Sequence, residues 1–208
     1  MKTRGAAFLV VGLAALAQTP TRDYATEKEL ALGKSLAAEI ERSNKMSMDS
    51  AAVGHANRVA QRLASHAGLA MPLKVGVIET EEARAIPLPG GYLFVSTGLL
   101  RRVRTEADLA AIMAHEIAHI ATRHGIRTAG GNQPLVFMGG GSGVCTRLGS
   151  ASIPPGYRNA ARGFEDEADR LGAAYLAKSG YDPAIMAGVF NRLLPAPPRI
   201  VPSLRKLR

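Results

Sequence analysis

Tryptophan is absent from these 208 residues, and only five tyrosines and five phenylalanines are present. Few rings are available to stack on bases, and the 26 lysines and arginines are dispersed, so the net charge of +9 does not point to nucleic acid, and no nucleic-acid partner is expected. Basic residues gather only at Arg101, Arg102 and Arg104 and in the closing Arg205-Lys206-Leu207-Arg208. A single cysteine, Cys145, excludes an intramolecular disulfide, so the fold rests on its core and on any metal it holds. Outside residues 5–17 no apolar run approaches the roughly 20 residues that cross a bilayer. There are no internal repeats, and the length suits one domain with a substantial core.

The apolar run at 5–17 follows Lys2 and Arg4 and ends in Ala15-Leu16-Ala17. That is the charged, apolar and small-residue order of a secretory signal peptide, and the run is too short for a membrane anchor. The expected organisation is a signal peptide at 1–17 cleaved near Ala17, a domain at 18–194, and a Pro-rich basic tail at 195–208. An extracytoplasmic location, periplasmic or secreted, follows, with no stable membrane span in the mature chain.

Apolar periodicity predicts helices over 26–41, with Thr26 and Glu29 as a capping box, and over 50–63 behind Asp49. Further helices are predicted over 97–103, 106–124 behind Thr105, 158–178 stopped by Gly180, and 182–193. Alternating and β-branched residues predict strands at 73–79 and 92–96, with a Pro-Leu-Pro-Gly-Gly turn at 87–91 before the second. The Gly-, Ser- and Pro-rich stretch 125–157 reads as a loop of the length that is usually functional or mobile. The fold class is α+β, mostly helical.

The helix over 106–124 carries His115-Glu116-Ile117-Ala118-His119. Residues four apart differ by about 40° and sit one turn apart, so His115 and His119 can grip one ion. Glu116, about 100° round, reaches a water beside that ion. This is the HExxH pattern of two imidazole ligands and a carboxylate general base, and chance yields it in roughly 0.6% of chains of this composition. A catalytic zinc takes three protein ligands. A metzincin-type third histidine would need glycine at 122 and histidine at 125, but the chain has Thr122 and Gly125, with His124 one position short. The third ligand falls instead to the helix over 158–178, where Glu165 and Asp169 share a face. Glu165 can ligate, and Asp169 can accept the ring N–H of a ligand histidine. Glu167, about 200° from Glu165, should point away. His55, His66 and His124 read as hydrogen-bonded core histidines.

Three stretches, "IPLPGGYLFVSTGLL" from Ile86, "TEADLAAIMAHEIAHIATRH" from Thr105 and "FEDEADRLGAAYLAKSGYDPAIM" from Phe164, resemble the HtpX-like and CAAX-prenyl-protease-like zinc metalloendopeptidases, metallopeptidase family forty-eight. The resemblance runs in order from about residue 27 to 194. It implies one zinc ion per chain on His115, His119 and Glu165, with Glu116 as catalytic base and Asp169 as the assisting acid. It also implies a minimal gluzincin-like domain in which the HExxH helix lies beside a small sheet whose edge strand pairs with the substrate backbone. That strand would be 92–96, so Gly90, Gly91, Tyr92, Leu93, Phe94 and Val95 become the candidate substrate-binding residues. The chain is similar to extracytoplasmic bacterial members that assist outer-membrane protein quality control, which implies unfolded or misassembled envelope polypeptides as substrate.

Two departures stand out. Arg84-Ala85-Ile86 and Pro87 replace an Asn-Ala-Phe that the family often carries, and no histidine follows His124 where members usually have a His-Pro motif and an arginine. The tail from Pro195 is therefore expected to be shortened or altered, and activity is expected to be weak unless Tyr157, Arg162 or another group supplies the missing oxyanion donor. The expected function is a zinc-dependent metalloendopeptidase. The alternative is a weakly active or inactive zinc-holding binding or chaperone module for unfolded envelope proteins.

Overall fold

A computed structural model describes residues 24–126 and 155–193, with side chains described over 26–126 and 163–193. The signal peptide, the tail, Cys145, most of the 125–157 loop and the side chains of Tyr157 and Arg162 lie outside these residues. The chain opens with helix α1 (Tyr24–Ser43), followed by α2 (Ser50–Ala64), which starts where Asp49 accepts the N–H groups of Ala51 and Ala52. Helix α1 begins before Thr26, so the expected capping box does not form. Thr26 and Glu29 instead accept from the guanidinium of Arg123.

Three strands follow: β1 (Lys74–Ile78), β2 (Ala85–Leu88) and β3 (Tyr92–Ser96). Their order is β1-β3-β2, with β1 parallel and β2 antiparallel to β3. The Pro-Leu-Pro-Gly-Gly segment is thus half strand and half turn. Pro87 lies within β2, and Pro89–Gly91 forms a single 3₁₀ turn in which Gly90 and Gly91 take φ of 76° and 82°. Side chains refuse that left-handed backbone, and at Gly91 an added Cβ would also meet the Pro72 carbonyl oxygen at 2.6 Å.

The expectation that Tyr92–Ser96 forms the sheet edge is overturned, because β3 has a neighbour on each side. The reason lies in the residues. Leu93, Phe94 and Val95 are apolar on both faces of the strand and buried on both, as suits a central position. Pro87 lacks an N–H and belongs at an edge. Ser96 donates to the Arg84 carbonyl at 3.0 Å, and alternation from that pair turns the backbone groups of Ala85 and Pro87 away from β3. No ladder bond is lost at the proline.

Thr97–Arg102 forms the short helix α3, and α4 (Glu106–Ala121) follows with Thr105 accepting the Asp108 N–H at 3.1 Å. Every residue of α4 from Asp108 to Ile120 is buried. It is enclosed by α2, by the sheet, and by α5 (Pro155–Lys178) and α6 (Ile185–Leu193). One core gathers these helices with Val77, Leu93 and Val95, while a smaller core on the other sheet face joins Ile78, Ile86, Leu88 and Phe94 to Ala37 and Ile40 of α1. The molecule is α+β and mostly helical, as the sequence predicts. Among the described residues no helix is long and apolar enough to cross a membrane.

The approach of α5 to α4 depends on Gly172. A Cβ there would lie 3.0 Å from the His115 backbone nitrogen and 3.1 Å from the Ala114 carbonyl carbon, atoms of a helix backbone that cannot swing aside. Gly172→Val is therefore expected to destabilise the fold by about 1–3 kcal/mol through overpacking, read as a lower urea midpoint. An unchanged midpoint would contradict this close helix contact.

Candidate metal centre

His115 and His119 lie on the face of α4 that meets α5, and their Nε2 atoms are 3.0 Å apart. Glu165, from α5, places one carboxylate oxygen 3.4 Å from His115 Nε2 and the other 3.6 Å from His119 Nε2. Donors arranged tetrahedrally about an ion at about 2.0–2.1 Å lie about 3.3 Å apart, so the spacing of the two Nε2 atoms and the distance from each to its nearer Glu165 oxygen suit a small divalent metal. Donor atoms of His115, Glu116 and His119 also fall within 4.8 Å of one another, and the cluster could hold a metal ion. Two imidazoles and a carboxylate are the donor set of many catalytic zinc sites.

The site is buried. His115, Glu116, His119 and Asp169 are each no more than 5% exposed, and although the Glu165 side chain is 25% exposed, its two carboxylate oxygens are buried. Asp169, one turn beyond Glu165, lies 2.9 Å from His115 Nδ1. Phe190 of α6 meets the His115 ring edge-on at 4.9 Å between centroids and closes its remaining side. The residues singled out at 115, 116, 119, 165 and 169 are thus brought together, while Tyr92–Val95 lie in the middle of the sheet.

A sequence model of peptidase family M48 matches residues 50–208, most of the chain. The chain belongs to family M48. The beta-barrel assembly-enhancing protease of Escherichia coli (strain K12) is 28% identical over 183 residues, 80% of this chain and 38% of that protein. Its Yersinia pestis counterpart is 26% identical over 183 residues, again 80% of this chain and 38% of that protein. The mitochondrial metalloendopeptidase OMA1 of Schizosaccharomyces pombe is 28% identical over 145 residues, 67% of this chain and 43% of that protein. The chain therefore spans about two fifths of the length of these three curated relatives.

Within this M48 chain, sequence reasoning missed two members of the site's surroundings. His124 is buried and hydrogen-bonded as expected, but its partner is His119, whose Nδ1 is 3.0 Å from His124 Nδ1. Glu167 does not point away: its carboxylate reaches His124 Nε2 at 3.1 Å. The physical cause is a reversal after α4, where Arg123 takes φ of 59° and folds His124 back beneath His119, against the side of α5 that carries Phe164 and Glu167. His55 and His66 are not core residues. Both sit on α2 or its end, His55 half-buried with Nδ1 3.8 Å from Glu106 and His66 exposed.

Burial disfavours the His115 imidazolium, yet hydrogen bonds to Asp169 and Glu165 and the charges of Glu116 and Glu165 outweigh it and push its pKa from 6.5 up to about 9. A raised pKa means that protonation of His115 adds stability in full below about pH 6.5, and this is lost as pH rises through about 9. A metal ion competes with that proton for the ring. With metal removed by chelation, the denaturation midpoint should fall between about pH 6.5 and 9, and metal affinity should climb by up to about tenfold per pH unit across the same window. A chelator-competition titration at several pH values that returned a flat profile would contradict this coupling.

Proposed function

We propose that the chain is a zinc-dependent metalloendopeptidase, with His115, His119 and Glu165 holding one zinc ion. The observation that carries the reading is the pair of Nε2 atoms 3.0 Å apart, each met by one oxygen of the Glu165 carboxylate at 3.4 and 3.6 Å, with Glu116 in the same cluster, in a chain of family M48. Bound there, zinc would supply Lewis-acid chemistry, activating a water and polarising the scissile carbonyl. Glu116 takes the proton of the attacking water and passes it to the departing amine, the general acid–base role its place next to His115 permits. Asp169 accepts the His115 Nδ1–H, which would leave the Nε2 lone pair for a metal held between His115, His119 and Glu165.

The substrate backbone pairs with β2 rather than β3. Among the described residues no strand lies beyond β2, which packs against α4. Its outward groups are the N–H and C=O of Ala85 and the C=O of Pro87, so the edge offers one donor and two acceptors to an extended peptide. Unfolded or misassembled envelope proteins are the proposed substrates and the space outside the cytoplasm the proposed location. Support comes from the signal-like run at 5–17 and from relatives named as beta-barrel assembly-enhancing proteases. The binding-module alternative is not favoured, because retaining a metal does not require the buried carboxylate of Glu116.

Glu116→Gln is expected to keep one zinc per chain and to lower cleavage of an unfolded reporter polypeptide by about 10²- to 10⁴-fold. Metal analysis and a cleavage assay on the same preparation decide the matter. Undiminished cleavage by the pure variant would refute the assigned mechanism.

A further inference from the structure

The two imidazoles that face Glu165 differ in what holds their far nitrogens. On His115 the partner is the Asp169 carboxylate at 2.9 Å. On His119 it is another imidazole, His124, whose own far nitrogen meets the Glu167 carboxylate at 3.1 Å. A neutral imidazole has one N–H and one lone pair. Glu167 accepts, so the His124 proton lies on Nε2 and its Nδ1 lone pair is left to accept in turn. His119 then carries its proton on Nδ1 and presents the Nε2 lone pair to the point between His115 and Glu165. Within the His119–His124–Glu167 chain, for neutral rings, any other assignment sets two lone pairs or two N–H groups against each other at 3.0 Å, or a lone pair against the carboxylate. The Nε2 lone pairs of His115 and His119 that this assignment leaves 3.0 Å apart are the pair a bound cation would take up.

We propose that Glu167 and His124 are positioning residues for His119, a relay from α5 that fixes the tautomer and plane of this second imidazole and so sets the metal affinity of the site. The inference rests on the reading of His115, His119 and Glu165 as the ligand set. The surroundings hold the relay rigid. The His124 side chain is fully buried, stacks on Phe164 at 4.4 Å with 23° between planes, and meets His119 edge-on at 5.0 Å. Its backbone N–H donates to the His119 carbonyl at 3.0 Å. Arg123, which supplies the left-handed residue of the reversal, donates from Nε to buried Glu29 at 2.6 Å. His119 is thus oriented from its own backbone side and from α5 together.

The test compares Glu167→Gln, which keeps an acceptor of the same size, with Glu167→Met, which keeps bulk alone. Both remove the same charge, so electrostatics cancel between them. Zinc dissociation constants of the full chain are measured by chelator competition, Co²⁺ visible spectra report ligand geometry, and the melting of chelated protein reports the fold. The expectation is zinc binding close to wild type for Gln and about 10- to 100-fold weaker for Met, with an altered Co²⁺ spectrum and little change in melting. His124→Phe should weaken binding as much, and adding Glu167→Met to it should weaken binding no further. Equal affinities for Gln and Met, beside a Glu165→Ala variant that loses zinc, would overturn the relay and leave the ligand set standing. Wild type and Glu165→Ala binding zinc alike would overturn the ligand set and the relay with it.

Discussion

A helix without a solvent face can carry two imidazoles and a carboxylate only where each polar end meets another polar group, since a buried unpaired charge costs several kcal/mol. In α4 that requirement is met from one direction, by α5. A single stretch of α5 brings Glu165 to both imidazoles, Asp169 to the far side of His115, and Glu167 to the relay behind His119. Residues 165 and 169 lie one turn apart on one side of the helix, and 164 and 167 share another side, about 150° round. The arrangement depends on distance as much as on spacing. Gly172, set against the backbone of His115, lets α5 come close enough for short carboxylates to reach the rings. The remaining elements cover the apolar faces of α4 and so remove the water that would otherwise screen these contacts.

Legibility in the sequence followed this division. His115, His119, Glu165 and Asp169 were readable because an i, i+4 pair on a helix fixes its own geometry, whatever packs around it. His124 and Glu167 were not. Their meeting depends on Arg123 adopting φ of 59°, a backbone state that glycine or asparagine would have signalled and arginine does not. The same holds for Glu29, whose spacing from Thr26 suggested a cap, whereas α1 starts earlier and the carboxylate serves a residue 94 positions away. In the sheet, Pro87 was the neglected signal. Prolines beside glycines read as a turn, but a proline flanked by Ile86 and Leu88 also fits a strand with no ladder partner on one side.

Glu29 joins the two halves of the proposed machinery. It is 3% exposed, and its two oxygens serve different parts of the chain: one accepts from Arg123 Nε at 2.6 Å, the other from the Gly90 N–H at 3.4 Å. The first contact secures the reversal that folds His124 beneath His119. The second secures the turn between β2 and β3, and hence the strand proposed to receive a peptide. A single carboxylate on α1 therefore braces both the turn that precedes β3 and the reversal that follows α4, while β2 itself packs directly on α4. Residues 24–43 lie before the segment matched by the M48 family model, which begins at 50. The residues proposed as ligands and base all fall within that match, while the contacts that brace the turn at Gly90 and the reversal at Arg123 come from a helix outside it.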